Sequence, residues 1–383
     1  MRIGYLFRGF LADVKLDYNG NELSTPDGNA TYSWSIEHEC HKRGYKLIPL
    51  GQNLDAPAAK LLGAAAFNSF SGDRRSAGYE RMLKSGWIKL SDKKFPDLDL
   101  VLIEWRWPIP GRNTPYDRSN PLYQNDLERQ REVISYYSEL SVPIVIWDLD
   151  HKLTSSDVLS LSDITNFAII ETATKPMQWA TRVEPPTLVT DLLQHPIDRR
   201  LSTHHIGYIG SRYERDETID HWIKPITPAN THRAKFWGKW EPYDEVRERW
   251  PGITFAGRIG VKDFRSAYSR VSAVPLLAKK SYYETGFITP RPWEAVLFGS
   301  IPVGLDGHLG IEQYTNHVAK DSEDLLRIAR EIRSISPIRR EVLREEAAHK
   351  LSHMDVKNFV NVLEKLAKGS GPSESKEEDG KDR

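Results

Sequence analysis

An arginine and a glutamate stand at the start of a short apolar segment within residues 286–306. Apolar residues recur at helical spacing over 293–297, which predicts a helix with one apolar face. Gly299 is expected to end this helix, because glycine accepts the left-handed backbone. Glu294 lies in the first turn, where the helix dipole favours a carboxylate. Arg291 beside a helix N-terminus is suited to hold a phosphate, and Glu294 is suited to bind ribose or sugar hydroxyls.

A second candidate anion site follows the apolar segment His205–Ile209, which is predicted to be a strand. The loop Gly210-Ser211-Arg212 comes next, and a helix is expected from about Asp216. Backbone amides and a guanidinium in such a loop suit a diphosphate. We therefore expect Gly210, Ser211 and Arg212 to bind an anionic ligand, with Arg212 as the main phosphate ligand.

Acidic side chains and a histidine end two predicted strands of the first half, 98–104 and 143–147. Ligands of open α/β sheets bind beyond the carboxyl ends of the strands. A histidine titrates near neutrality, and a hydroxyl nucleophile must lose a proton. Two interpretations of these residues stay open, a catalytic base and a hydrogen-bonded cap of the strand end. The residues are Glu104, Asp148, Asp150 and His151, of which Asp150 or His151 is the candidate base.

Asp148-Leu149-Asp150 also matches the D-x-D spacing of some metal sites. On a strand, however, the residue between two aspartates points into the opposite layer. The triplet alone therefore does not predict a chelating loop.

The stretch Arg291–Val303 has the pattern R-x-x-E-A-x-x-x-G-x-x-P-V. It resembles the donor-site signature of group 1 glycosyltransferases, which have the two-domain GT-B fold. The resemblance implies that Glu294 holds the ribose of a nucleotide-sugar donor. The family often has a second glutamate eight positions earlier, where this chain has Gly286, and Glu284 is the nearest substitute. It also implies a nucleotide sugar as co-substrate, without a bound metal or cofactor.

The resemblance extends to other loops of the two halves. The loop at Gly210 is implied to face the donor phosphates, and a basic residue at a strand end is implied to lie near the diphosphate. Lys239 and Lys279 both meet that description, as does Lys280, and the sequence does not rank them. In the first half, Gly28 and Asn29 are the candidates for the loop that faces the cleft on the acceptor side.

The alternation of predicted strands and helices indicates an α/β fold, and the resemblance implies two Rossmann-like domains facing each other across a cleft. We expect an acceptor-side domain over 1–185 and a nucleotide-sugar donor domain over 186–340. The helix at 341–368 is expected to return to the first domain, as the resemblance implies. The segment 369–383 is charged and lacks large apolar residues, which predicts disorder.

Net charge, the length of apolar runs and the cysteine count limit the classes of function that the sequence allows. The net charge is zero, so no global basic field attracts nucleic acid. No apolar run is long enough to span a membrane. The single cysteine, Cys40, excludes an internal disulfide and favours a reducing, cytoplasmic setting.

The reaction that these features predict is transfer of a sugar from a nucleotide sugar to an acceptor hydroxyl. One hypothesis for the acceptor is a hydroxylated base in DNA, because basic and aromatic residues alternate over Asp73–Lys94. Another is a surface glycan or a small metabolite, which zero net charge favours. Two hypotheses without glycosyl transfer also stay open, a catalytically inert module that binds nucleic acid or sugar and a sugar-nucleotide epimerase. The sugar, the donor base, the stereochemistry and the oligomeric state stay open.

Overall fold

Two six-stranded parallel sheets organise the chain. The structure is a computed structural model, and it describes residues 1–6, 15–16, 22–23, 28–50, 95–105, 126–164, 166–187, 203–229, 233–259 and 261–369. The stretch Asp73–Lys94 and the predicted tail beyond Gly369 lie outside the described residues.

The first sheet contains β1 (Arg2–Leu6), β4 (Lys46–Pro49), β5 (Leu100–Glu104), β6 (Ile144–Asp148), β7 (Phe167–Glu171) and β8 (Thr181–Arg182). These strands are parallel and lie in the order β4-β1-β5-β6-β7-β8. Every residue of β5 and β6 is buried. Such continuous apolar strands are typical of a parallel sheet that is covered on both faces. A small antiparallel pair, β2 (Lys15–Leu16) and β3 (Glu22–Leu23), follows β1.

The second sheet contains β9 (His204–Ile209), β10 (Ala234–Trp237), β11 (Ile253–Phe255), β12 (Val271–Pro275), β13 (Ile301–Leu305) and β14 (Val318–Ala319). Its parallel order is β11-β10-β9-β12-β13-β14. Both sheets therefore have the doubly wound α/β topology, which confirms the predicted fold class.

The α-helices of the described part are α1 (Gly28–Lys42), α2 (Asp126–Glu139), α3 (Ser155–Leu159), α4 (Asp216–Trp222), α5 (Tyr243–Arg249), α6 (Val261–Tyr268), α7 (Lys280–Thr285), α8 (Arg291–Leu297), α9 (Ser322–Ser334), α10 (Pro337–Lys350) and α11 (Val356–Ala367). Short 3₁₀ turns occupy Lys224–Ile226, Ile311–Gln313 and Leu351–Met354. None of the described helices is long and apolar enough to cross a membrane.

Helix α8 begins at Arg291, and Glu294 lies in its first turn, as predicted. Gly299, just beyond its end, has φ 93°, a conformation that glycine adopts without steric cost. All seven residues of the helix are buried, including those outside the predicted apolar face. The charged pair at its start is therefore held inside the protein.

The C-terminal helix α11 packs on the first sheet, although it follows the strands of the second sheet in the chain. Phe359 lies in one apolar cluster with Ile3 and Tyr5, and its ring centroid is 4.9 Å from that of Trp147. The Tyr45 hydroxyl donates to Glu364 over 2.7 Å. Burying one large apolar side chain contributes about 1.5–3 kcal/mol, so this contact joins the two ends of the chain firmly.

The prediction of a single helix at 341–368 is wrong, because the chain divides this segment into the end of α10, a 3₁₀ turn and α11. At the break, Met354 accepts from the Thr187 amide over 2.9 Å, and the Val356 amide donates back to Thr187 over 2.8 Å. Asp355 then caps α11 by accepting from the Lys357 amide. Pairing with a distant backbone segment replaces the helical hydrogen bonds at this point.

Two strands of the second sheet end for local reasons. Strand β12 ends after Pro275, where the Leu277 amide turns back to the Pro275 carbonyl over 2.9 Å. Strand β10 ends at Trp237, since Gly238 takes φ 126°.

The two sheets are linked by direct backbone contacts. The Lys175 amide donates to the Thr285 carbonyl over 2.9 Å, and the Thr174 amide donates to Gly286 over 3.2 Å. Ala173 and Phe287 form an isolated antiparallel bridge beside them. The segment after β7 is thereby fixed to the segment after α7. The division of the chain at residues 185, 340 and 368 stays a prediction.

Candidate active site between the two sheets

The carboxyl end of β6 forms a tight turn that is organised by Asp148. One oxygen of this buried carboxylate accepts from the Lys152 amide over 2.8 Å, and the other accepts from the Leu153 amide over 2.7 Å. Burial raises the pKa of Asp148, and the two amides oppose that rise. Asp148 therefore builds the turn, and the acceptor-side role predicted for it stays a prediction that this geometry does not favour.

The turn presents His151 in a left-handed backbone conformation, with φ 54°. Its Nδ1 lies 2.9 Å from Oε2 of Glu171, the last residue of β7. A carboxylate only accepts hydrogen bonds, so Nδ1 carries the proton and Nε2 is left as the basic nitrogen. The hydrogen bond to Glu171 raises the pKa of His151, although burial opposes the rise. This is the arrangement of a base held by an orienting carboxylate.

Asp148, His151 and Glu171 also place one potential ligand atom each within 4.8 Å of one another. The carboxylate oxygens already have hydrogen-bond partners: both Asp148 oxygens accept from backbone amides, and Glu171 accepts from His151 and from the Met177 amide. A cation here would compete with these donors for the carboxylate oxygens, while Nε2 of His151 is not engaged by them. These hydrogen bonds by themselves describe a hydrogen-bonded turn. The expectation of no metal stays a prediction.

On the second sheet, Arg291 is 8% exposed and lies against the loop that follows β9. Its Nε donates to the Ile209 carbonyl over 3.0 Å, and its guanidinium lies 4.7 Å from the ring centroid of Tyr208. A Cβ on Gly210 would lie 2.6 Å from an Arg291 nitrogen. The cation at the start of α8 is thus placed beside the predicted Gly210 loop, which the sequence separates from it by eighty residues.

Glycine at two strand ends allows these loops to approach. A Cβ on Gly238, after β10, would lie 1.9 Å from the Gly210 carbonyl oxygen. The Gly238 amide donates to the Gly257 carbonyl over 2.7 Å. The loops after β9, β10 and β11 therefore pack with backbone against backbone, as in sites where a phosphate must come close to amides.

Glu294 is buried on α8 near Tyr268 and Arg291. Burial raises the pKa of Tyr268 well above its usual range, and the Glu294 charge adds to the rise while Arg291 opposes it. The carboxylate and the guanidinium that the sequence singled out are therefore both close to one buried phenol. The role of Glu294 as a ribose ligand stays a prediction.

Lys279, from the second half of the chain, lies close to charged residues of the first half. It is 4% exposed, and its Nζ lies 4.4 Å from the ring centroid of Tyr282 and 3.6 Å from Glu214. Burial lowers the pKa of Lys279, and Lys152 from the first domain lowers it further, whereas Glu214 and Asp150 oppose the shift. The Tyr282 hydroxyl is 3.5 Å from Asp150. The two predicted catalytic residues and Lys279 thus come together across the domain boundary.

Other predicted residues lie apart from this group. The Arg212 guanidinium is held by Asp216, with Nε 2.9 Å from Oδ1, and by Glu245. These carboxylates raise the pKa of Arg212. Lys239 is 54% exposed and 3.9 Å from Glu241. Arg212 is thus engaged in a surface ion-pair network, which does not favour its role as the main phosphate ligand.

Glu104 belongs to the other face of the first sheet. It accepts from the Tyr5 hydroxyl over 3.0 Å and pairs in register with Trp147. Asp148 and Glu171 form the next pair in register and point to the opposite face.

Glu284 is exposed on α7. Among the remaining predictions, Ser211 accepts through its carbonyl from Arg215, and only the backbone of Gly28 and Asn29 is described, at the start of α1.

Sequence reasoning missed three residues of this region. Glu171 had the same signal as Asp148, an acidic residue at the carboxyl end of an apolar strand. Tyr282 had no signal, because helical spacing does not reveal contact with another domain. Arg215 is buried and donates to the Ser211 and Tyr213 carbonyls, over 3.2 and 2.8 Å. It braces the Gly210 loop.

No protein-family model matches the chain, and no curated protein matches it by sequence. Solved structures do match, and they have the GT-B glycosyltransferase fold, as the resemblance implied. One is an alpha-glucosyltransferase in complex with UDP and a 13-mer DNA, with TM-score 0.55, 13% identity and coverage of 96% of this chain and 99% of that chain.

Two further matches are structures of T4 phage beta-glucosyltransferase. The complex with UDP and Mn²⁺ has TM-score 0.53 and 12% identity over 96% of this chain and 99% of that chain. A second structure has TM-score 0.50 and 11% identity over 97% of each chain. These similarities show that the chain has the GT-B fold.

Proposed function

We propose that the protein is a glycosyltransferase that moves a sugar from a nucleotide sugar to an acceptor hydroxyl. The observation that carries the proposal is the meeting of the His151–Glu171 pair with Lys279 between the carboxyl ends of the two sheets. A base oriented by a carboxylate and a buried cation are the two groups that this reaction needs. The GT-B fold supports the same reaction class.

The donor diphosphate would lie on the second domain. Arg291 beside Gly210, together with Lys279, supplies positive charge where the strands end. That charge would offset the negative charge that develops on the diphosphate as it leaves. Glu294, at the start of the same helix, is the candidate ligand of the ribose. Because two of the similar structures contain UDP, we infer a UDP-sugar as the donor.

The acceptor hydroxyl would lie against His151. In the reaction, the acceptor oxygen bonds to the anomeric carbon, the bond from that carbon to the diphosphate oxygen breaks, and the hydroxyl proton passes to Nε2. Glu171 stabilises the imidazolium that forms. The positive charge of Lys279 lowers the pKa of His151 and limits the rise caused by Glu171. Asp150, which is in contact with Tyr282, is the alternative base in the same turn.

For the acceptor we infer a hydroxylated base in DNA. The alpha-glucosyltransferase that shares this fold was solved with DNA. Identity of 13% leaves a surface glycan or a small metabolite as the competing acceptors. An inert binding module of the same fold is the competing non-enzyme, and it would keep the fold without needing His151.

Donor binding is tested first, by thermal unfolding with UDP-, GDP-, ADP- and dTDP-sugars. A ligand at about 100 Kd stabilises the native state by roughly 2.7 kcal/mol. We expect stabilisation by UDP-sugars, reduced in Glu294→Gln and retained in the surface variant Arg327→Gln. Absence of any shift with all four nucleotides would contradict the donor site and favour the inert module.

The acceptor is tested by mass spectrometry of products with the UDP-sugar that binds. The panel contains duplex DNA with a hydroxymethylated pyrimidine, unmodified DNA of the same sequence, an oligosaccharide and small hydroxylated metabolites. We expect addition of one hexose to the hydroxymethylated DNA alone. Product with the oligosaccharide or a metabolite, and none with DNA, would overturn the DNA acceptor while keeping glycosyl transfer.

A further inference from the structure

Basic residues line the amino edge of the second sheet, at the opposite strand ends from the candidate active site. Arg233 directly precedes β10, His204 and His205 open β9, and Arg270 directly precedes β12. These three strands are neighbours in the sheet. The His205 amide donates to the Arg233 carbonyl over 3.0 Å, and the His204 amide donates to the Arg270 carbonyl over 3.1 Å. The basic residues therefore form one row.

Helix α9 adds two arginines to this row. Nη1 of Arg333 lies 3.2 Å from Nε2 and 3.4 Å from Nδ1 of His205. Burial lowers the pKa of His205, and Arg333, Arg233 and Arg330 lower it further. Arg333 thus contacts the His205 imidazole, and the charges of Arg233 and Arg330 act on the same ring. We name Arg233, Arg330 and Arg333 the amino-edge arginine cluster, and Arg270 extends it along the sheet.

The amino-edge arginine cluster has no counter-charge among the residues that the structure describes. Some other arginines of the second half form ion pairs: Arg327, on the same helix, lies 2.6 Å from Asp324 and from Glu331. Arg339 pairs with Glu346 over 3.5 Å. Within the described ranges, no carboxylate forms an ion pair with Arg233, Arg330 or Arg333. Arg233 donates to the Ile226 carbonyl over 3.3 Å, a bond that leaves its charge in place. Like charges held together without a counter-charge repel one another.

The helix dipole explains part of this arrangement only. A cation in the last turn of a helix is favoured by about 0.3–1 kcal/mol, which accounts for arginines near the end of α9. It does not account for Arg233 and Arg270, because they precede strands. An anionic ligand that neutralises the row explains all four residues together.

We propose that the amino-edge arginine cluster binds the phosphate backbone of a nucleic acid, outside the candidate active site. Guanidinium groups bind phosphate oxygens in a bidentate geometry. Neighbouring strands are about 4.8 Å apart, so the row from Arg233 to Arg270 extends over roughly 10 Å. A row of that length suits successive phosphates of a polyanion better than one small ion. The inference does not depend on glycosyl transfer, because this edge needs no sugar donor.

The test measures binding of a fluorescent 20-base-pair duplex of unmodified DNA by anisotropy, from 50 to 200 mM salt. The double variant Arg233→Gln/Arg333→Gln is compared with Arg327→Gln/Arg339→Gln, which removes the same charge from paired positions. We expect the salt slope to fall by about 1 for each cluster residue, hence about 2 in the first variant. Affinity at low salt should fall at least about tenfold in that variant.

Circular dichroism of each variant checks the fold, and stabilisation by UDP-sugars reports separately on the donor site. Equal slopes for the wild type and the cluster variant would overturn the proposal. So would an equal loss in the control variant, which would mean that only net charge matters. A wild-type protein that does not bind the duplex would overturn it as well. Loss of UDP-sugar binding alone would count against the proposed function and not against this site.

Discussion

The carboxyl edges of the two sheets differ in how they are built. On the first sheet, charged side chains end the strands, and backbone amides hold their oxygens in place, as at Asp148. On the second sheet, Gly210 and Gly238 end the strands, and backbone packs on backbone. The cations there, Lys279 and Arg291, come from the starts of helices that follow in the chain.

This difference fits the roles in glycosyl transfer that we propose for the two edges. A base has to present one nitrogen at a fixed angle, and a side chain such as Glu171 can orient it. A diphosphate has to approach several amides at once, and any Cβ in the way would prevent that. The first edge therefore depends on particular functional groups, and the second depends on the absence of side chains. Substitutions at the two edges should have different consequences.

The largest effect is expected for His151→Ala. A positioned base contributes about 10² to 10⁴ in rate, so the rate of transfer to the acceptor should fall by that factor. Stabilisation by UDP-sugars should stay unchanged, since the donor would lie on the second sheet. The measurements are single-turnover kinetics and thermal unfolding with the donor.

Asp150→Asn provides the matched control in the same turn. If that variant loses the larger factor while His151→Ala keeps its activity, the base is Asp150 and the role assigned to the His151–Glu171 pair is wrong. If neither substitution slows transfer, the first edge does not supply the base at all.

The next largest effect is expected for Gly238→Ala. The new Cβ would lie 1.9 Å from the Gly210 carbonyl at φ +126°. Strain of this kind costs of order 1–3 kcal/mol, and overpacking adds about 1–3 kcal/mol. We expect lower stability in urea unfolding together with weaker UDP-sugar binding. Such a loss would show that the second edge depends on close backbone approach.

Gly307→Ala is the control for this substitution. It also has a positive φ, +84°, but nothing lies within 4 Å of its Cβ. We expect a loss of about 1–2 kcal/mol from the left-handed backbone alone, with donor binding intact. Equal losses for the two variants would mean that the contact with Gly210 is unimportant.

The same contrast explains what the sequence could predict. Strands such as β6 are buried apolar runs, so their type and approximate bounds follow from the pattern of residues. The α8 helix was predicted from the helical spacing of apolar residues over 293–297, and its end was predicted from Gly299. These signals are local, and local signals are preserved when tertiary contacts form.

Long-range contacts were not predictable in this way. The sequence predicted Arg212 as a phosphate ligand. In the structure its guanidinium forms ion pairs with Asp216, four residues later, and with Glu245 of α5. Glu104 and Asp148 both end strands, but the pleat sends them to opposite faces. The break between α10 and α11 depends on Thr187, which is far away in the chain. None of these partners is encoded by spacing.

A smaller effect is expected for Glu171→Gln, which tests how the first edge orients its base. The hydrogen bond from Glu171 raises the pKa of His151. Loss of the carboxylate should therefore lower that pKa, and His151 would stay deprotonated to lower pH. The acidic limb of the rate profile should move to lower pH, with a rate loss below that of His151→Ala. Histidine NMR titration measures the pKa directly.

The stability of the variant follows from the same shift. A histidine whose folded pKa is raised stabilises the native state at pH below its unfolded value, about 6.5, and the contribution disappears as pH rises through the folded pKa. Glu171→Gln should therefore cost more stability at pH 5.5 than at pH 8. A pKa of His151 that stays unchanged in the variant would contradict the assigned pair.

The smallest effect is expected from removing divalent metal ions. Asp148, His151 and Glu171 are close enough to hold a cation, but their ligand atoms already accept or donate hydrogen bonds. We expect EDTA to leave the NMR titration of His151 unchanged. Micromolar Mn²⁺ should then broaden the His151 ring signals no more than those of the exposed His221. Selective broadening at His151 would show that a metal displaces the hydrogen bonds, and the first edge would then be a metal centre instead of an oriented base.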